Sequence, residues 1–157
     1  MAARPDPQGL LPWFLAVVLF GFVPAAQADC TSMDGQPEIV ESVFLRVVTL
    51  NMAHGRKDGR NQMLLKGETI RSNLEDLAGL LDRADADVIA LQEADAASAW
   101  SGKFNHVDFL VENSIYSCSF HGIHASNRMY DFGTALLSKY PFQGAFAHSF
   151  IPSRPTT

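Results

Sequence analysis

The sequence predicts a mixed α+β layered fold. Two observations carry that reading: short apolar runs rich in β-branched residues, and one amphipathic helical stripe set between the first two of them. A third agrees, because the runs after the second strand are mostly strand-like. The chain has 157 residues, 47% hydrophobic and 18% charged, which suits one globular domain rather than a disordered or fibrous chain. The formal charge of -5 argues against a protein that coats polyanions through clustered Lys and Arg. It leaves room for an enzyme that meets phosphate through a bound cation, since the ion supplies positive charge locally.

The N-terminus lies outside the predicted fold. Residues 1–9 are short and polar, and residues 10–22 (LLPWFLAVVLFGF) are apolar but too few for a membrane span. Ala26-Gln27-Ala28 then places small residues where a signal peptidase reads. Residues 1–28 therefore read as a secretory signal cleaved before Asp29, giving a secreted or periplasmic protein with no transmembrane helix. An uncleaved anchor is the other reading, because Asp6 cancels Arg4 in a weakly charged leader. Lipid attachment at Cys30 fits poorly, with the charged Asp29 where a small residue is needed.

Residues 29–42 form a polar leader with Gly and Pro, and residues 43–157 hold the domain. The run 43–50 (VFLRVVTL) reads as a strand buried on both faces. It ends at Asn51, and Gly55, Lys57, Asp58, Gly59 and Arg60 mark a loop. A helix follows over 69–81, with Ile70, Leu74, Leu77, Ala78 and Leu81 at i, i+4, i+7, i+8 and i+11 and Thr69 as N-cap. The run 87–93 (DVIALQE) is the second buried strand, and residues 94–105 read as a loop. A short helix is predicted over 107–113, a strand over 116–123, a break over 125–131 and a buried strand over 132–138 (FGTALLS). Lys139, Tyr140 and Pro141 turn the chain towards a last strand candidate at 145–151. Two cysteines, Cys30 and Cys118, leave two readings. They could pair in an exported protein, or Cys118 is a small buried strand residue and Cys30 sits on a frayed tail.

The chemistry gathers where the two buried strands end. The first delivers Asn51 and the second delivers Gln92 and Glu93. A carboxylate at the end of an apolar strand is seldom fully buried unless it is paired or bound to a metal. If the strands are neighbours, Asn51 and Glu93 meet at the rim of one sheet and offer the hard oxygen ligands that Mg2+ or Mn2+ accepts. On spacing alone the plainer reading is that Glu93 begins a solvated loop and Asn51 caps a turn.

Three segments carry a resemblance. Residues 45–51 (LRVVTLN), 86–93 (ADVIALQE) and 133–141 (GTALLSKYP) resemble, in order and spacing, the signatures of the endonuclease/exonuclease/phosphatase (DNase I-like) family. The resemblance implies a four-layered αββα sandwich and a metal-dependent phosphoester hydrolase. Carried over, Glu93 holds the divalent metal and Asn51 orients the phosphate or helps to bind the ion. The implied substrate is a phosphoester: a nucleic acid, a phospholipid such as sphingomyelin, or an inositol phosphate. Nothing in the sequence marks a stable protein partner. The family often places a Tyr near its third signature; here Phe132 stands immediately before Gly133, and Tyr130 is a candidate substitute and no more.

The chain departs from the family pattern after residue 150, where only IPSRPTT follows and neither an Asp-x-Asn motif nor a closing Asp-His pair is found. Two-sheet sandwiches can run roughly 200–250 residues. The expectation is a domain truncated to its N-terminal half, inactive by itself, with one helix to cover one face of the sheet and a poorly covered second face. A non-catalytic remnant or binding module that keeps this half of the fold is the alternative. Among the histidines, His54 lies three residues beyond Asn51, near enough to line the same cleft. His121 and His124 have zinc-like spacing but lack a second ligand pair, so packing is the better reading. His106 and His148 stand in no motif. Ser98, Trp100, Ser101 and Gly102 read as a loop anchored by a packed Trp, with a substrate-facing wall as the alternative.

The signal reading makes one prediction. N-terminal sequencing of the exported product starts at Asp29; a product that keeps Met1 and needs detergent for extraction supports the anchor instead.

Overall fold

The computed structural model describes residues 29–30 and 44–148. The signal segment 1–28, all but two residues of the leader, and residues 149–157 lie outside them. Among the described residues are five strands and two α-helices: β1 (Asp29–Cys30), β2 (Val47–Asn51), α1 (Gly67–Ala84), β3 (Val88–Asp95), α2 (His106–Glu112), β4 (Cys118–Ser126) and β5 (Asp131–Ser138). They form one mixed sheet in the order β1-β4-β5-β3-β2. Strands β2 and β3 run parallel, joined through α1, and the other pairs are antiparallel.

The helical stripe read from the sequence is the one that is buried. Ile70, Leu74, Ala78 and Leu81 of α1 are at most 2% exposed and pack in one cluster with Val107 and Leu110 of α2 and with Ile89, Leu91, Ala135 and Leu137 of the sheet. Each such Leu or Ile contributes roughly 1.5–3 kcal/mol by leaving water. Because register pairs Ile89 with Leu137 and Leu91 with Ala135, both helices lie on the same face. Asn105 caps α2 through its side-chain oxygen, which accepts from the Val107 and Asp108 amides.

Several boundaries differ from the sequence reading. Helix α1 starts at Gly67, so Thr69 is not its N-cap: the chain is still extended at Lys66, whose carbonyl already accepts the Thr69 N–H. Strand β3 does not stop at Glu93 but continues through a bulge to Asp95. Strand β2 is not buried on both faces; it alternates, and Val47 is 58% exposed, because among the described residues only the helix side has a covering layer. Residues 145–148 form no strand, and the rest of that candidate, 149–151, lies outside the described residues. No helix among the described residues is long and apolar enough to cross a membrane.

Cys30 and Cys118 form a disulfide. Cys30 is therefore not on a frayed tail: it lies opposite Cys118 in the β1–β4 register and extends the sheet beyond β4. Their separation of 88 residues makes the crosslink worth on the order of 4 kcal/mol in the chain-entropy account. Cys118→Ser is expected to lower the melting temperature by an amount that reductant reproduces in the parent protein. An unchanged melting curve in both would show that the crosslink constrains nothing.

Candidate active site

Parallel pairing of β2 with β3 places Asn51 opposite Gln92, so Asn51 and Glu93 meet at the C-terminal rim of the two strands. The sequence pattern set both residues there, and the structure brings them to one corner. Asn51 Oδ1 accepts the Ala53 N–H at 2.8 Å, which turns the chain sharply after β2. Ala53 and His54 follow with φ of 46° and 57°, in the left-handed region that L-residues seldom occupy. Gly55 (φ 70°) completes the turn against α1: its carbonyl accepts from Asn73 at 2.9 Å, and a Cβ there would sit 3.1 Å from Ile70.

The end of β3 is shaped as deliberately. Glu93 has φ 52°, and the register with β5 shifts between Gln92 and Ala94, so one residue bulges out of the ladder. Across the bulge stands Gly133, where a Cβ would lie 1.9 Å from the Gly122 carbonyl oxygen; only glycine lets β3, β4 and β5 meet there. His121 braces the same point, its Nε2–H donating to the Ala94 carbonyl at 3.1 Å. The bulge leaves the Glu93 side chain 38% exposed, and its one polar contact among the described residues is His54, at 3.5 Å between Oε2 and Nε2.

Behind His54 lies a group that the sequence reading assigned to a loop. Asp95 is wholly buried, and its Oδ1 accepts from His54 Nδ1–H at 3.0 Å. Its Oδ2 lies 3.6 Å from Nδ1 of buried His106 and has no hydrogen-bond partner. His106 in turn donates from Nε2 to the Ser101 carbonyl at 2.9 Å. Glu93, His54, Asp95 and His106 thus form a file running from the rim into the core. In the sequence Asp95 stands only as a second acid two residues past Glu93, with no periodicity to mark it as buried.

Aromatic rings wall this file. Trp100 and Phe132 present their edges to His54 at centroid distances of 5.7 and 4.9 Å, and Tyr130 lies between them, 6.2 and 5.2 Å from each. Trp100 is therefore the packed anchor of its loop, held also by Gln62, which donates to the His54 and Trp100 carbonyls. Ser98 and Ser101 spend their side chains on bonds within that loop. His121 is bonded to the Ala94 carbonyl and His124 is exposed, and among the described residues no three His, Cys, Asp or Glu converge as a metal cluster. A cleft of about 660 Å³ opens beside Asn51 against α1 and is lined also by Lys57, Asn73 and Arg83; it does not include Glu93.

A family model described as the Endonuclease/Exonuclease/phosphatase family matches residues 48–156. Neither the curated proteins nor the solved structures yield a match to the chain.

Burial pushes both His106 and His121 below the usual histidine value of 6.5, against the smaller upward pull of the carbonyls they bond. A histidine held neutral in the folded state binds its proton more readily when unfolded. Its contribution is therefore fully present above the unfolded value and is lost as pH falls below it. The melting temperature is expected to fall as pH is lowered through about 6.5 towards 5, with a shallower slope in His121→Gln. A flat profile over that range would show that neither ring is kept neutral.

Proposed function

The chain belongs to the endonuclease/exonuclease/phosphatase family, and on that premise we propose that it carries the cation-binding corner of a metal-dependent phosphoester hydrolase. The observation that carries this reading is the bulge at Glu93. It costs a left-handed residue and a broken ladder, and its product is a part-exposed carboxylate beside Asn51 that no Lys or Arg neutralises among the described residues. That donor set fits a hard divalent ion, Mg2+ or Mn2+. Glu93 supplies charge and Asn51 an amide oxygen, one of whose lone pairs remains after the bond to Ala53.

Within this reading Glu93 would hold the ion and Asn51 would bind it or orient the phosphate. When bound, such an ion polarises a phosphoryl oxygen for in-line attack by water. Asn51 is held in place from below by its bond to the Ala53 amide, and the rings of Trp100, Tyr130 and Phe132 shield the inner side of the corner. The substrate class is a phosphoester: nucleic acid, phospholipid or inositol phosphate. Export fits the Cys30–Cys118 disulfide, a bond that persists in oxidising compartments.

The test is Glu93→Gln, which keeps the shape of the side chain and removes its charge. Calorimetric titration with Mg2+ and Mn2+ is expected to show affinity at least about tenfold weaker than in the parent, with the fold retained. Unchanged affinity would mean that Glu93 merely begins a loop. The chain by itself is expected to be inactive on bis-p-nitrophenyl phosphate. Metal-dependent turnover that Glu93→Gln abolishes would overturn that expectation while upholding the site.

A further inference from the structure

We propose that His54 is a positioning residue: its imidazole, anchored on the buried Asp95, holds the Glu93 carboxylate in the orientation that receives the divalent cation. This rests on Glu93 being a cation ligand and goes beyond it by naming what aims that ligand.

The geometry comes first. The His54 ring spans two carboxylates, with Nδ1 at 3.0 Å from Asp95 Oδ1 and Nε2 at 3.5 Å from Glu93 Oε2. The inner contact is a hydrogen bond and fixes the ring; the outer one, at 3.5 Å, faces one oxygen of Glu93 and holds it when Nε2 as well as Nδ1 carries a proton. The other oxygen has no polar contact among the described residues, and the side chain is 38% exposed.

Burial then makes the anchor rigid. Asp95 has no access to water, and the His54 side chain is only 13% exposed. Trp100 and Phe132 meet the imidazole nearly edge-on, at interplanar angles of 85° and 83°, so rotation of the ring would drive it into one or the other. His54 makes the one hydrogen bond that the buried Asp95 receives among the described residues, and losing it is costly, which ties the ring to Asp95 more firmly than packing alone.

Backbone strain supplies the third observation. Ala53, His54 and Glu93 all have positive φ, and none is glycine. Such residues cost on the order of 1–3 kcal/mol each and persist where the surroundings over-determine them, characteristically at functional sites. A histidine that served only to satisfy Asp95 would need the first turn but not the second. The two distortions, one in the turn after β2 and one within β3, bring Nε2 and Oε2 face to face. Groups that hold a metal ligand from behind typically alter metal affinity about 10–100-fold.

The experiment titrates the full chain with Mn2+ calorimetrically and records thermal unfolding of the same samples. It compares the parent with Glu93→Gln, His54→Ala, His54→Gln and Asp95→Asn. His54→Ala is expected to weaken Mn2+ binding about 10–100-fold. His54→Gln, whose amide still reaches towards Glu93, recovers part of that loss, and Asp95→Asn falls between. A role confined to packing moves the melting temperature and leaves the affinity of the folded protein unchanged; that result overturns the proposal. Where His54→Ala does not fold, parent-like affinity in both His54→Gln and Asp95→Asn overturns it equally. Glu93→Gln separates the two levels of argument. Affinity that survives it defeats the cation site itself, whereas affinity lost there but kept in the His54 and Asp95 variants defeats only the role of His54.

Discussion

A carboxylate without access to water fixes how the functional corner is assembled. Asp95 ends β3 inside the protein, and a polar group buried there is tolerated only with partners. Those partners come from separate parts of the chain: His54 from the turn after β2, and His106 from the first residue of α2. The turn must be left-handed to deliver His54, and the loop through Ser101 must fold back to receive His106. The bulge at Glu93 belongs to the same arrangement, since it sets the offset between the acid at the surface and the acid in the core. Sheet, helix and loop are therefore locked together at one point, and the candidate site lies directly above it.

The two ends of the sheet solve opposite electrostatic problems. At the far end, Asp85 receives Lys139 and Arg46, and the Lys139 ammonium chiefly, with the Arg46 guanidinium after it, holds its carboxyl below the ordinary range. That cluster ties the entry to β2, the left-handed C-cap of α1 and the exit from β5, and it is exposed, so water and salt already screen it. At the near end, Glu93 has no Lys or Arg against it among the described residues. Of these two acids, the one without a Lys or Arg against it is the one at the rim beside Asn51.

How much of this was legible depended on what kind of signal each feature leaves. The stripe from Ile70 to Leu81 announced α1 because helical burial repeats in sequence. Its start at Gly67 did not, because the extended backbone at Lys66, and not a capping side chain, sets it. Asn51 and Glu93 were legible as the polar ends of apolar runs, and their adjacency followed once the runs were read as neighbours. Asp95 was not, because a bulge has no periodicity of its own: after Glu93 the alternation restarts out of phase, and the acid looks like the first residue of a loop. The disulfide was undecidable from two cysteines; it needs the register that sets Cys30 opposite Cys118. The aromatic wall was scattered over Trp100, Tyr130 and Phe132, and only the fold gathers it.

The Cys30–Cys118 bond has a consequence for how the molecule comes apart. It closes a covalent ring that contains β2, α1, β3 and α2, and leaves β4 beyond Cys118 and all of β5 outside. A protease that cut once within the ring, for instance in the exposed stretch around Asp58 and Arg60, would break the backbone without releasing a fragment. The nicked protein would migrate as a single species until reduced, and would then separate into two. The strands outside the ring remain hydrogen-bonded to those inside it, so a nick would cost the sheet little while the sulfur bridge holds.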